Sequence, residues 1–96
     1  MQLLLDITSS KHPPSRHRDH YVLGSEGGTI GRAPENDVVL PDPDLYVSSQ
    51  HAFIRFQSDA FLLTDTSVNG VFLNDGQEPV GQNNSIRLHN GDRLFM

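Results

Sequence analysis

Ser48-Ser49-Gln50-His51-Ala52-Phe53-Ile54-Arg55-Phe56-Gln57 carries the clearest structural signal in the chain. From Ala52 onward the pattern alternates. Ala52, Ile54 and Phe56 share one face, and Phe53, Arg55 and Gln57 share the other. Period two predicts a strand with one face against a core. The polar turn Ser58-Asp59 follows, and then a second short apolar run, Phe61–Thr64. Further on, Val71–Leu73 lies between the turn signals Asn69-Gly70 and Asn74-Asp75-Gly76. Ile86 and Leu88 flank Arg87, and Asn90-Gly91-Asp92 turns into Arg93–Met96. Toward the N-terminus, Val38–Leu40 is a short strand closed by Pro41-Asp42-Pro43-Asp44. Thr29–Ile30 and His20–Leu23 flank the turn through Ser25-Glu26-Gly27-Gly28. Thr8–Asp19, with Pro13-Pro14, reads as a long polar loop after the opening strand Gln2–Ile7. Few windows show a helical period, so the expected fold is all-β, an antiparallel β-sandwich.

Composition narrows the function classes. The 96 residues suit one domain with one modest core. Leu, Ile, Val and Phe supply 27 of them, enough to rule out disorder for want of apolar material. There is no Cys, hence no disulfide framework, thiol nucleophile or Cys-based zinc site. The longest apolar run is Leu3-Leu4-Leu5, against the ~20 residues that span a bilayer. Net charge is −5, which argues against broad nucleic-acid or anionic-membrane binding. That charge is concentrated in residues 33–96, where nine carboxylates face three Arg. No internal repeat or second-domain linker appears, and residues 1–96 read as one domain.

Three polar clusters sit at predicted strand ends. Gly31-Arg32 follows Thr29–Ile30, Ser48-Ser49-Gln50-His51 leads into Ala52–Gln57, and Ser67-Val68-Asn69-Gly70 separates Phe61–Thr64 from Val71–Leu73. A sandwich gathers its loops at two poles. If the three converge, Arg32 supplies a fork-shaped cation, Ser48 and Ser49 supply hydroxyls, and Asn69 supplies an amide able to pair with a peptide backbone. A cation, hydroxyls and loop N–H groups together suit a dianionic phosphate.

The order of these clusters resembles the forkhead-associated (FHA) domain, of the SMAD/FHA-like sandwich type. The resemblance rests on Thr29-Ile30-Gly31-Arg32, Asn36-Asp37-Val38-Val39-Leu40, Ser48-Ser49-Gln50-His51-Ala52, Asp65 through Asn74, and Gly91-Asp92-Arg93-Leu94. It covers residues 28–96, while residues 1–27 fit as an N-terminal strand, a long loop and a second strand. It implies an eleven-stranded sandwich that binds phosphothreonine peptides at one pole, without catalysis or cofactor. Carried over by position, Arg32 would contact the phosphate or the peptide backbone, Ser48 the phosphate with Ser49 beside it, and Asn69 would hold the peptide backbone next to the phosphothreonine. Ser67 and Val68 are secondary contacts, and Gly31, His51 and Gly70 are architectural. The family's last strand pairs near the first, so the resemblance also implies a further edge strand and a fragment of a longer protein.

Two positions depart from the pattern. Many members carry Arg or Lys where Ser49 stands, and Thr or Ser where Val68 stands. Losing one charge-assisted bond costs roughly 1.5–3 kcal/mol, so binding weaker than for a full motif is expected. The alternative in the same fold is a phosphate-independent interaction or oligomerisation domain. Residues 40–48 and 69–74 further resemble the N-terminal FHA domains of bacterial type VI secretion proteins. That resemblance implies a cytoplasmic domain whose partner is a threonine-phosphorylated secretion component under a kinase and phosphatase pair. A hydrolase built on Ser48 or Ser49, His51 and Asp65 is disfavoured, because no glycine elbow presents the Ser. His12, His17, His20 and Asp19 lie in a Pro-rich stretch without metal-ligand spacing, and no metal is expected. Neither the Asp42/Asp44 pair nor Asn74-Asp75-Gly76 matches a calcium loop.

Overall fold

Period two in residues 52–57 becomes a strand whose inward Ala52 and Ile54 are buried, with Phe56 half-buried, and whose outward Arg55 and Gln57 are exposed. The computed structural model describes residues 1–9, 17–40, 47–74, 76 and 78–96. The centre of the expected polar loop with His12, the Pro41–Asp44 turn and Asp75 lie outside the described residues. So do the side chains of His17 and Asp19. Nine strands are described: β1 (Gln2–Ser9), β2 (His17–Gly24), β3 (Gly28–Gly31), β4 (Val38–Val39), β5 (Ala52–Gln57), β6 (Ala60–Asp65), β7 (Phe72–Leu73), β8 (Ser85–Leu88) and β9 (Asp92–Phe95). They form two sheets, ordered β2-β1-β9-β7 and β4-β3-β5-β6-β8. Among the described residues there is no helix.

The sandwich is all-β as expected, but its sheets are mixed. β1–β9 and β3–β4 pair in parallel, while the other pairings are antiparallel. Nine described strands stand against the eleven that the family resemblance implies. Val80 N–H donates to the Val71 carbonyl at 2.8 Å outside any described strand. The resemblance places a further strand near the first; in this chain β9 itself lies against β1. The β1–β2 ladder runs from Gln2↔Gly24 to Ser9↔His17, further into the polar stretch than the apolar run alone predicts. Backbone pairing carries it on, because ladder bonds do not require apolar side chains.

The core fills the space between the inner faces. Leu3, Leu5, Ile7 and Leu94 come from the first sheet, and Ile30, Ala52, Ile54 and Leu63 from the second; all are buried. Phe56 and Phe61 meet at 4.8 Å between ring centroids, beside the β5–β6 turn. That turn has Ser58 at φ 54° and Asp59 at φ 61° between partners Gln57 and Ala60, a two-residue loop with both residues left-handed. The antiparallel register then fixes one pole: the end of β3, the start of β5 and the end of β6 are neighbours.

Candidate functional site

Each polar cluster is anchored by the strand it terminates. Arg32 N–H donates to the Ser48 carbonyl at 3.0 Å, and Ala33 N–H to that of Ser49 at 3.1 Å, so the β3 exit is stitched to the loop entering β5. Gly31 is required where these segments cross. A Cβ there would lie 2.3 Å from the Ser49 carbonyl oxygen and 2.9 Å from the Gln50 Cα. Only glycine allows that approach. Asn36 clamps the crossing from above, its amide donating to the carbonyls of Ala33 at 2.9 Å and Ser49 at 2.6 Å. The sequence reading quoted Asn36 within a motif but gave it no role.

His51 joins this loop to the next. Its Nδ1 accepts from Ser48 N–H at 3.0 Å, and its Nε2 lies 2.9 Å from the Gly70 carbonyl. A carbonyl only accepts, so Nε2 carries the proton and the ring is neutral in this arrangement. The ring is fully buried. Its architectural role is therefore specific: it holds the Ser48 turn and the Gly70 turn at a fixed separation. Gly70 itself has φ +101°, a conformation that L side chains rarely adopt.

Beneath the third loop sits Asp65, also fully buried. Its Oδ1 accepts from Ser67 N–H at 2.9 Å and from the Ser67 hydroxyl at 2.5 Å. Its Oδ2 accepts from Val71 N–H at 3.1 Å and Gly81 N–H at 3.2 Å. Four donors offset the desolvation of a buried carboxylate and freeze the turn. Sequence reasoning missed this role. The signal was there in Asp65-Thr66-Ser67, the spacing of an Asx-type turn.

The loops bring Arg32, Ser48, Ser49, Val68 and Asn69 to one pole. Arg32 Nε donates to the Val47 carbonyl at 3.1 Å and Nη2 to Ser49 Oγ at 3.2 Å. Ser48 Oγ accepts from Val68 N–H at 3.1 Å. Ser49, Val68 and Asn69 are exposed, and Arg32 and Ser48 are half-buried. Ser67 is different: it is 3% exposed, and its hydroxyl is spent on Asp65 and on accepting from Gly70 N–H at 2.8 Å. It shapes the loop from below. The result is an aligned guanidinium, two hydroxyls and an amide on a pole with no carboxylate among those exposed groups, able to receive an anion through charge-assisted bonds.

Fold and site together define a β-sandwich recognition domain with its binding loops gathered at one pole. The FHA domain family profile matches residues 28–96, and the chain belongs to the FHA domain family, a non-catalytic binding module. No curated protein sequence gives a significant match. Among solved structures, the chain is 27% identical to Mycobacterium tuberculosis EmbR in complex with a low-affinity phosphopeptide. That match has a TM-score of 0.68 and covers 99% of this chain and 22% of EmbR. It is 32% identical to the FhaA FHA domain solved with a partner's intracellular domain, at TM-score 0.63, covering 79% of this chain and 77% of that one. A third structure, an FHA domain studied for phosphothreonine-dependent interactions, is 29% identical at TM-score 0.64 and covers 97% and 83%. Among the described residues no helix is long and apolar enough to cross a membrane.

Proposed function

We propose that the chain binds a phosphothreonine segment of a partner protein, with Arg32 and Ser48 on the phosphate, Ser49 beside them, and Asn69 on the peptide backbone. The observation that carries this reading is the junction of Arg32, Ser48 and Val68 through Arg32 N–H to Ser48 O and Val68 N–H to Ser48 Oγ. It holds the cation, hydroxyl and amide loop in one preorganised constellation, which lowers the ordering cost of binding. EmbR, solved with a low-affinity phosphopeptide, and the FHA domain analysed for phosphothreonine-dependent interactions support the same ligand class. In the finer reading the domain is the N-terminal, cytoplasmic part of a longer bacterial protein, docking a phosphorylated component of a type VI secretion assembly. Support for that reading is the style of residues 40–48 and 69–74.

Fluorescence anisotropy with matched threonine and phosphothreonine peptides tests the binding reading. Binding only of the phosphorylated peptide, reduced about tenfold or more by Arg32→Ala, is the expected outcome. Equal affinity for both peptides would favour a phosphate-independent surface. Val68 motivates that second reading: its apolar side chain is 84% exposed where a hydroxyl is usual.

A further inference from the structure

The outer face of the five-stranded sheet carries a second recognisable surface. Arg55 of β5, Leu62 of β6 and Arg87 of β8 stand in one row, paired Arg55↔Leu62 and Leu62↔Arg87. Both arginines are exposed and Leu62 is half-buried. Neither guanidinium has a hydrogen bond or ion pair among the described residues. Phe53, half-buried on the same face, is diagonal to Leu62 through its partner Thr64.

Charge makes this row unusual for the chain. Residues 33–96 hold nine carboxylates and three arginines, yet two of those arginines meet here. None of the outward residues of β5, β6 and β8 is acidic. A lone exposed Arg is ordinarily a solvated side chain. Two that are unpaired, spaced across a leucine and beside a phenylalanine, match the composition that protein interfaces enrich. Antiparallel partners lie about 4.5–5.5 Å apart, which sets the two arginine backbones about 10 Å apart. In an extended polyproline II segment, residues three apart point the same way at about 9.3 Å.

We propose that the Arg55–Leu62–Arg87 row docks an extended acidic segment of a partner protein, with two carboxylates three residues apart and an apolar residue between them. The net charge of −5 does not forbid this, because distant charge is screened within ~8–10 Å at physiological salt while the arginines act at contact. An anionic membrane fits less well, because lipid-surface binding draws on clusters of about four or more cations and this row has two. The row is on the flank of the sheet, four residues along from His51, so it is separate from the loop pole. A partner engaging both surfaces would gain from effective concentration.

The test is anisotropy of the whole chain with a labelled peptide containing Glu-Pro-Leu-Glu, its Gln-Pro-Leu-Gln counterpart, and phosphatidylserine vesicles. The acidic peptide should bind, weaken as salt rises, and lose about tenfold or more in affinity with R55E/R87E. Affinity of the same variant for a phosphothreonine peptide should stay unchanged, and its thermal unfolding confirms that it folds. If the charge reversal impairs folding, R55Q/R87Q carries the test with a loss of several-fold. No binding of the acidic peptide, equal binding of the Gln peptide, binding indifferent to the arginines, or arginine-dependent binding to vesicles alone would overturn the proposal.

Discussion

Gly31 and Ser49 meet in one contact and report on different things. Gly31 has no room for a methyl group, since the obstacle is the Ser49 backbone carbonyl rather than a flexible side chain. Gly31→Ala should therefore destabilise the domain by about 2–3 kcal/mol. Thermal unfolding would show this as a fall of about 10–20 °C for a domain this size. Ser49, by contrast, is exposed; its backbone carbonyl holds the loop while its hydroxyl meets Arg32, so replacing its side chain is a question of ligand charge. Ser49→Arg restores the cation common in the family. Titration with a phosphothreonine peptide should show about a tenfold gain, the charge-assisted bond outweighing repulsion from Arg32. A loss instead would place the phosphate away from this pair. Both residues were legible in the sequence as members of motifs. The contact between them was not, because a close approach across 18 positions leaves no periodic trace.

The β5–β6 hairpin shows a related gap between pattern and conformation. Alternation located both strands, and Ser58-Asp59 was legible as a polar turn. The turn type was not, since Ser and Asp are compatible with several. The structure places both residues at positive φ in a two-residue loop, where Asn-Gly is the favoured pair. Ser58→Asn with Asp59→Gly should raise stability by about 1 kcal/mol, read as a higher urea midpoint at unchanged m-value. The loop after β6 inverts the lesson. Asp65 was legible as the first residue of a loop motif and as the acid of a disfavoured hydrolase triad, but not as the buried anchor of the turn. Its four donors come from Ser67, Val71 and Gly81, and only folding brings Gly81 alongside.

Residues 28–96 carry all of the family's recognisable motifs, yet they do not make the sandwich. β1 lies inside the first sheet, between β2 and β9, and contributes Leu3, Leu5 and Ile7, each no more than 2% exposed. Without residues 1–27 that sheet is left with β9 and the two-residue β7, and the inner face of the second sheet loses its cover. A fragment of residues 28–96 should fail to fold cooperatively. The check is a poorly dispersed proton–nitrogen NMR spectrum and no thermal transition for the fragment, where the 96-residue chain is expected to give both dispersion and a transition. A folded fragment would mean that β1 is dispensable packing.

What the sequence determined by itself is local and compositional. Period-two alternation in Ala52–Gln57, turn residues between short apolar runs, and the ordered motifs from Thr29 to Leu94 were enough for an all-β FHA sandwich and for naming the polar clusters at its strand ends. Alternation reports which face a side chain takes, but says nothing about which strand lies beside it or in which direction that strand runs. Tertiary structure alone therefore decided the parallel β1–β9 and β3–β4 pairings, and the alignment of Arg55 with Arg87 across Leu62. It also decided the tautomer of His51 and the burial of Asp65 and Ser67, because each depends on backbone groups distant in sequence that only long-range packing assembles.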